Sequence, residues 1–258
     1  MIFSSDLKAL GRPVVVATHM RSGTHLCLDF LRRQFAVFDG WKFPMEANDS
    51  LYLPLDVFSG DEATWGEARA LRVIRRAKRL LVKAHWTLPD LSNLANRQPE
   101  MTAWLDENAD FIHVVRNPLK VMASMYAWNG MNGRVDEPWL RKNLAEWVAH
   151  TKAWQNRRGT LLIRSEDILS RPLESVERLG KFLGECPRRR EPLLPAQSSS
   201  IWHSRWNRMF TSRPASTAIL VKNPVIAPGE LFDSRALRVF EEVSGELMAD
   251  LGYNASGA

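Results

Sequence analysis

The chain has no apolar run longer than four residues, whereas a transmembrane helix needs about 20 apolar residues in a row. Its opening segment, MIFSSDLKALGRP, lacks the long apolar stretch of a secretory signal peptide. It has only two cysteines, Cys27 and Cys186, which make no disulfide framework and cannot ligate a structural zinc ion alone. These absences predict a protein without a membrane span, and the reducing cytoplasm is the simplest compartment for it.

Internal repeats and Gly/Ser linkers are also absent, so the 258 residues are predicted to form one domain spanning 1–258. A composition of 45% hydrophobic and 25% charged residues is that of a folded globule and excludes a disordered chain. Lys and Arg number 35 against 29 Asp and Glu, which gives a net charge of +6. That excess indicates an anionic partner, either nucleic acid, a membrane surface or a phosphorylated cofactor.

Predicted strands and helices alternate along the chain. Short β-branched runs without alternation are typical of buried parallel strands, and apolar residues at three-to-four spacing are typical of helices. The fold class is therefore α/β, with a central, mostly parallel sheet flanked by helices. An irregular loop is predicted over Pro187–Ser200. The predicted strands are Pro13–Ala17, Leu80–Lys83, Phe111–Val115 and Thr160–Ile163, and the predicted helices contain Leu28–Phe35, Ala68–Arg79, Val121–Trp128, Leu140–Trp154, Arg171–Leu183 and Ser234–Leu251.

A polar turn, Arg21–His25, lies between the first predicted strand and the following helix. In an open parallel sheet, ligands bind beyond the carboxyl ends of the strands, where helix N-termini direct free amides at anions. Gly23 permits close backbone approach, and Ser22, Thr24 and Arg21 supply two hydroxyls and a positive charge. The turn is a candidate phosphate cradle, although it lacks the Gly-x4-Gly-Lys-Ser/Thr pattern of a Walker A loop. The alternative is a helix start that Ser22 or Thr24 caps.

A second candidate anion site follows the predicted strand that ends at Arg116. Pro118 is suited to the first turn of a helix, and Ser124 lies two turns along that helix. The planar fork of Arg116 can bind a phosphate, although a strand-end arginine more often pairs with a carboxylate. Two anion sites at two strand ends are more informative than either one alone.

Taken in order, these motifs resemble the sulfotransferases that use 3′-phosphoadenosine 5′-phosphosulfate (PAPS), and the resemblance covers roughly residues 12–184. In that family, Lys/Arg-Ser-Gly-Thr follows one strand, and Arg-Asn-Pro with a later serine follows another. Each motif alone is weak, but together, in order and on the expected elements, they imply the P-loop-like sulfotransferase fold. The matching segments are Arg21–Thr24, Lys83–His85, Arg116–Ser124, Glu166–Asp167 and Phe182–Gly184.

The resemblance implies transfer of a sulfuryl group from PAPS to a hydroxyl or amine of a small-molecule, carbohydrate or lipid acceptor. It implies neither a metal nor a nucleic-acid partner. His85 is the candidate general base, since histidine titrates near neutrality. Arg21 and Lys83 are the candidates for stabilising negative charge on the transferred group. The implied cofactor-binding residues are Arg21, Ser22, Gly23, Thr24, His25, Arg116, Ser124 and Ser165.

Three positions depart from the family pattern. Arg21 stands where cytosolic members usually have lysine, and because arginine stays charged it can neutralise charge but cannot act as a general acid. Ser165 stands where the family often has a tyrosine that stacks on adenine. The late Arg-Lys-Gly segment that contacts the 3′-phosphate is missing as such, and Arg213 or Lys222 is the candidate substitute.

Other interpretations stay open from the sequence. Glu46 is the alternative base, because some carbohydrate-acting relatives use a glutamate. A P-loop-type kinase with a degenerate loop would need magnesium and the pair Glu166–Asp167. A non-catalytic basic domain that binds nucleotides or nucleic acid would show steep salt dependence and no dependence on His85.

The remaining histidines and tryptophans divide into core and loop positions. His19 is expected to pack against the first strand and His113 to lie in the core. Most of the tryptophans at helical spacing are expected in the core, and those in predicted loops could form an aromatic wall for a flat acceptor. The first group is Trp128, Trp147 and Trp154, and the second is Trp41, Trp86, Trp202 and Trp206.

Overall fold

The structure is a computed structural model that describes residue 2 and residues 4–7, 10–38, 52–58, 63–85, 94–194 and 226–254. Several residues named above lie outside these ranges, and their roles stay predictions. They are Trp41, Glu46, Trp86, Trp202, Trp206, Arg213 and Lys222, together with the end of the predicted loop, 195–200.

Five parallel strands form a sheet in the order β2-β3-β1-β4-β5. All four predicted strands are present, each within one residue of its predicted ends. β1 lies in the centre with every residue buried, which is why its sequence shows no polar–apolar alternation. The unpredicted β2 has two residues and offers no apolar run. The strands are β1 Val14–Thr18, β2 Leu53–Pro54, β3 Leu81–Ala84, β4 Asp110–Val115 and β5 Thr160–Arg164.

Helices follow the strands, and the α/β class predicted from the sequence is confirmed. The helix predicted over Ala68–Arg79 instead runs from Ala63 to Arg76, since Arg79 forms a buried ion pair with Asp110 of β4. Four of the ten described helices have no counterpart among the predicted ones: Ser4–Leu7, Pro99–Asn108, Ser165–Ser170 and Pro228–Leu231. The helices are α1 Ser4–Leu7, α2 Thr24–Gln34, α3 Ala63–Arg76, α4 Pro99–Asn108, α5 Pro118–Trp128, α6 Glu137–Asn156, α7 Ser165–Ser170, α8 Pro172–Leu183, α9 Pro228–Leu231 and α10 Ser234–Asp250.

The hydrophobic core lies on both faces of the sheet. Val15 and Ala17 of β1 pack with residues of α3, α4 and α6, whereas Val14 and Val16 pack with residues of α2 and α8. A third cluster joins α5, α6 and α10, with Phe240 of α10 fully buried in it. Because apolar side chains cover both faces, the ligand-binding positions are left at the strand ends.

The polar side of α2 is not the exposed face that its sequence suggests. Asp29 is buried and pairs with Arg32, whose Nη1 lies 3.4 Å from Asp29 Oδ1. Arg33 is also buried, and its guanidinium donates to the Leu194 carbonyl. The segment that contains Leu194 therefore covers the side of α2 that faces away from the sheet.

Candidate active site

The three central strands end side by side at one edge of the sheet. Thr18 of β1 is level with Val114 of β4, and Ala17 of β1 is level with Ala84 of β3. The segments that follow these strands therefore begin next to one another. They are the turn 19–23, His85 and Arg116.

The turn between β1 and α2 presents main-chain amides at this edge. The first hydrogen bond of α2 runs from Cys27 N to Gly23 O at 3.0 Å, so the amides just before Cys27 have no acceptor within the helix. The positive end of the helix dipole lies at the same place. Left-handed backbone at Arg21 (φ 64°) and Gly23 (φ 102°) turns the chain into the helix. This is the backbone arrangement of an anion cradle.

Gly23 is needed for close packing as well as for its φ angle. A Cβ atom at this position would lie 2.9 Å from Ser165 Cβ, a separation that requires one of them to move. Gly23 is also the N-cap of α2, and within the described residues no side chain caps that helix. The alternative in which Ser22 or Thr24 caps the helix is therefore wrong. Ser22 Oγ is instead buried, with no hydrogen-bond partner among the described residues, and suits a ligand oxygen.

His85 is joined to the anion cradle through Thr18. His85 Nδ1 lies 3.1 Å from the Thr18 carbonyl oxygen and 3.2 Å from Thr18 Oγ1, which in turn lies 2.5 Å from Thr24 Oγ1. Because a carbonyl oxygen only accepts, Nδ1 carries the proton and Nε2 of the neutral ring does not. An unprotonated Nε2 is what a general base requires.

The side chains of the two predicted anion sites meet. Arg21 Nε donates to Ser124 Oγ at 3.0 Å, and Arg116 Nη1 donates to the Arg21 carbonyl at 3.0 Å. Burial, followed by the charge of Arg116, lowers the pKa of Arg21 from its ordinary value. Both guanidinium groups stay protonated at any physiological pH. Two cations and a hydroxyl thus face a common region at the ends of β1 and β4.

His25, the second residue of α2, is affected by the charges of Lys83 and His85. Burial, followed by the charges of Lys83, His85 and Arg21, lowers the pKa of His25 to about 3. His25 is therefore neutral at physiological pH and offers a hydrogen bond rather than a charge. Lys83 and Arg21 supply the positive charge near it.

Ser165 lies in the wall behind the anion cradle. It is buried against Gly23, and its hydroxyl donates to Glu166 Oε2 at 3.2 Å. The same Glu166 oxygen accepts from the Tyr253 hydroxyl at 3.1 Å. Ser165 is thus close to the cradle, but its hydroxyl is bonded to Glu166.

Two of the remaining histidines are buried together behind the turn. His19 and His113 both contact the His150 ring, with ring centroids 5.8 and 5.4 Å apart. Burial is the main cause that lowers the pKa of each to about 4. His113 is fully buried in β4, which confirms its predicted place in the core.

Trp128 is exposed, whereas Trp147 and Trp154 are fully buried, so most of the tryptophans at helical spacing lie in the core as predicted. Trp128 ends α5, and its ring lies 4.8 Å from the Arg21 guanidinium carbon, within the range of a cation–π contact. Helical spacing alone could not reveal this, because the preceding residues of the same turn, Met125–Ala127, are buried and only the final residue is exposed.

Sequence reasoning missed the part that Thr18 plays in this arrangement. Thr18 is fully buried at the end of β1 and bonds to both His85 and Thr24. One signal was present, since Thr18 is the polar residue that directly follows the apolar run of β1. Its partner 67 positions away could not be read from spacing.

The described residues contain neither a metal-binding cluster nor a membrane-spanning helix. No group of three or more His, Cys, Asp or Glu side chains there could hold a metal ion. Among the described helices, none is both long enough and apolar enough to cross a membrane.

A parallel sheet with an amide-lined turn between its central strand and the next helix defines the class of P-loop-like nucleotide-binding α/β proteins. Within that class, the family model described as the sulfotransferase domain matches residues 12–218. The chain belongs to the sulfotransferase family, as its motifs predicted.

The chain is 30% identical over 147 residues to Sulfotransferase 2B1 of Mus musculus, a match that covers 52% of this chain and 40% of the relative. The chain thus matches less than half the length of this curated relative. Its fold is similar to that of mouse sulfotransferase SULT7A1 complexed with PAP (3′-phosphoadenosine 5′-phosphate). The identity is 16% and the TM-score is 0.52, over 96% of this chain and 89% of that one. Retinol dehydratase in complex with androsterone and inactive cofactor PAP matches at 15% identity and a TM-score of 0.51, over 93% and 81%.

Proposed function

We propose that this protein transfers a sulfuryl group from PAPS to a hydroxyl or amine of a small-molecule acceptor. The observation that carries the proposal is the meeting of two anion-binding motifs, Arg21–Thr24 and Arg116–Ser124, beside the imidazole of His85. The family membership and the PAP complexes of the structural relatives support the same donor.

The residues present fit such a donor. The buried Ser22 hydroxyl has no hydrogen-bond partner among the described residues and can bond to a phosphate or sulfate oxygen. The absence of a side chain at Gly23 lets a ligand approach the backbone where a Cβ atom would otherwise lie. The turn 21–25 would hold the 5′-phosphosulfate, and Arg116 with Ser124 would hold the 3′-phosphate through charge-assisted hydrogen bonds. When bound, PAPS supplies an activated sulfuryl group with a phosphate as its leaving group.

His85 is the proposed general base. With Nδ1 held by the Thr18 carbonyl, Nε2 is the atom that takes the proton from the acceptor hydroxyl. The imidazolium that forms keeps its Nδ1–H bond to Thr18, so the ring need not reorient. Glu46 stays the alternative base, and it lies outside the described residues.

Arg21 and Lys83 are the proposed electrostatic groups. In the transition state of sulfuryl transfer, negative charge is spread over the sulfuryl group that is being transferred. Cations that are already fixed in position stabilise this transition state most effectively, because they need no reorganisation. After burial, the charges of Lys83, His85 and Arg21 lower the pKa of His25, which supports a role for both cations near that side chain. No metal ion is needed in this scheme, which depends on these two cations and the turn amides.

The proposed acceptor is a small molecule with an apolar body. Met20 is 51% exposed and Trp128 is 47% exposed, and both adjoin Arg21, one through the chain and one through its ring. The retinol dehydratase complexes contain androsterone or retinol beside PAP, which supports a small acceptor here. A cytoplasmic location is proposed with it, supported by two free cysteines, Cys27 and Cys186.

A kinase-type assignment is less well supported by the contacts of the pair Glu166–Asp167. Glu166 accepts from Asn117 N and from Tyr253, and Asp167 pairs with Arg171 at 2.8 Å. Both carboxylates are thus bonded within the fold, whereas a magnesium-binding carboxylate should face the phosphates.

Calorimetry with PAP and with adenosine 5′-phosphate tests the donor assignment. We expect PAP to bind more tightly by tenfold or more, because two charged hydrogen bonds to the 3′-phosphate are each worth about 1.5–3 kcal/mol. Equal affinity for the two ligands would contradict the proposal. A screen of hydroxyl and amine acceptors with labelled PAPS then identifies the acceptor.

A further inference from the structure

The C-terminal end of α10 turns the chain back towards the anion sites. Tyr253 N donates to Met248 O at 2.8 Å, and Gly252 N donates to Ala249 O at 2.9 Å. This is the Schellman pattern, which needs left-handed backbone, and Gly252 supplies it with φ 70°. Tyr253 therefore leaves the direction of the helix and becomes buried, at 5% exposure.

The Tyr253 hydroxyl bonds to the carboxylate that also binds the second anion motif. It donates to Glu166 Oε2 at 3.1 Å, while Glu166 Oε1 accepts from Asn117 N at 3.0 Å. Asn117 directly follows Arg116, whose guanidinium bonds to the Arg21 carbonyl. The tail of the chain is thus two hydrogen bonds away from the proposed 3′-phosphate site.

Arg164 holds the tail in this position. Its guanidinium carbon lies 4.7 Å from the centre of the Tyr253 ring, and its Nη1 lies 3.2 Å from the Leu251 carbonyl oxygen. Because the backbone of the turn and the ring are both held, the phenol hydroxyl has little freedom to leave Glu166. A fixed contact of this kind, far apart in sequence, is suited to positioning a charged neighbour.

The position of the negatively charged Glu166 carboxylate affects how Arg116 can bind a phosphate. Burial lowers the pKa of Arg116 from its ordinary value, and the negative charge of Glu166 partly opposes that effect. A carboxylate that moved onto Arg116 would compete with a phosphate for the same N–H groups. Donors on both of its oxygens keep it from doing so: Tyr253 and the neighbouring Ser165 donate to Oε2, and the Asn117 amide donates to Oε1.

We infer that Tyr253 is a positioning residue of the 3′-phosphate site: its hydroxyl holds Glu166 on the Asn117 amide and thereby leaves Arg116 to the 3′-phosphate. This inference rests on the proposed use of PAPS. It adds the C-terminal turn, 87 residues from Glu166 along the chain, to the parts on which donor binding depends.

The test is the affinity of Tyr253→Phe for PAP and for adenosine 5′-phosphate, measured by calorimetry. We expect the PAP Kd to rise about tenfold, since a hydrogen bond to a charged group is lost, while the Kd of adenosine 5′-phosphate stays within about twofold. Tyr126→Phe is the matched control. Tyr126 is also buried, and among the described residues its hydroxyl donates to main-chain carbonyls such as that of Asn132. The Tyr126→Phe variant should therefore keep the wild-type ratio between the affinities for PAP and for adenosine 5′-phosphate.

A second variant tests the competition directly. Adding Glu166→Gln to Tyr253→Phe removes the negative charge and should restore much of the PAP affinity, which a purely structural loss would not allow. Glu166→Gln alone should bind PAP at least as tightly as the wild type, whether or not the double variant folds.

The outcomes separate the inference from the proposed function. A wild type that binds both ligands equally overturns the use of PAPS itself. A wild type that prefers PAP, together with a Tyr253→Phe variant of unchanged preference, overturns only the positioning role. Equal weakening of both ligands by Tyr253→Phe overturns it too, because it indicates a general loss of structure.

Discussion

Arg21 Nε lies 3.0 Å from Ser124 Oγ, so two motifs 103 residues apart in the chain meet through their side chains. Arg116 joins them by donating to the Arg21 main chain. Two guanidinium groups held near each other repel, and an anion placed beside them relieves that repulsion. The arrangement is consistent with the proposed single site, in which the Arg21 turn and the Arg116–Ser124 motif bind two ends of one anionic donor.

Replacing Arg21 should reduce the rate of the chemical step. We expect Arg21→Ala to lower kcat by roughly a hundredfold or more, as the loss of one preorganised donor does in other enzymes. Arg21→Lys should keep part of the activity, because it retains the charge but loses the planar fork. Single-turnover kinetics measures both. Normal turnover by Arg21→Ala would show that the residue only shapes the turn.

Replacing Arg116 should remove the preference for a 3′-phosphate. Arg116→Ala should weaken PAP binding about tenfold or more, since charge-assisted hydrogen bonds are lost, with little effect on adenosine 5′-phosphate. Calorimetry on both ligands measures the ratio. Arg238→Ala removes an exposed arginine of α10 and is the control for net charge. An Arg116→Ala variant that kept its preference would place the 3′-phosphate elsewhere.

The sequence was most informative where one strong local preference determined the structure. β1 and β4 are apolar runs that must be buried on both faces, and the glycine and hydroxyls of the turn 21–25 follow directly after the first of them. Strand ends in a parallel sheet share an edge, so motifs placed at strand ends lie on the same edge of the sheet.

Contacts between distant segments could not be predicted in the same way. Asp29 looks like an exposed residue of α2, but the segment around Leu194 covers that side of the helix. Trp128 has the spacing of a core residue, but it lies beyond the covered part of α5. The bond between Tyr253 and Glu166 depends on the reversal at Gly252, and neither residue alone indicates the other.

Gly23 should tolerate no side chain. Gly23→Ala places a Cβ atom 2.9 Å from Ser165 Cβ and requires a left-handed φ of 102°. We expect PAP affinity to fall more than tenfold and the melting temperature to drop by several degrees, as strained backbone costs on the order of 1–3 kcal/mol. Thermal denaturation and calorimetry measure the two effects.

Gly245→Ala provides the matched control for that substitution. Gly245 lies within α10, and its added Cβ atom would meet only the flexible carboxyl end of Glu241 at 3.0 Å. Alanine there should raise stability by up to about 1 kcal/mol, because alanine favours helix over glycine. If both variants behaved alike, the anion cradle would have no special need of glycine.

Stability should fall on mild acidification because of buried neutral histidines. In the folded state burial lowers the pKa of His19 and of His113 to about 4, whereas unfolded histidines titrate near 6.5. Between these values the unfolded state binds more protons, so stability is fully present above about pH 6.5 and decreases as pH falls towards 4. Each such histidine contributes roughly 1.4 kcal/mol per pH unit in that window.

His113→Asn tests this pH dependence. The asparagine amide can keep the hydrogen bond to the Ala17 carbonyl, which His113 Nδ1 makes at 3.0 Å, but it does not titrate. Urea denaturation at pH 7.5, 6.5 and 5.5 gives the free energy of unfolding at each pH. Its slope against pH should be smaller in the variant, by an amount that corresponds to the uptake of up to one proton on unfolding. An unchanged slope would mean that His113 has the same pKa in the folded and unfolded states.

The last prediction concerns the base. His85→Ala should reduce kcat by about a hundred- to ten-thousandfold, the usual contribution of a positioned base. The wild-type rate should rise with pH through the His85 pKa and then level off, since only the neutral ring accepts a proton; an unperturbed imidazole titrates near 6.5. PAP affinity should barely change, because the anion motifs do not include His85. A histidine needed only for structure would instead lower stability and PAP affinity together. Glu46→Gln is the decisive comparison: if it abolishes turnover while His85→Ala is active, the base is Glu46.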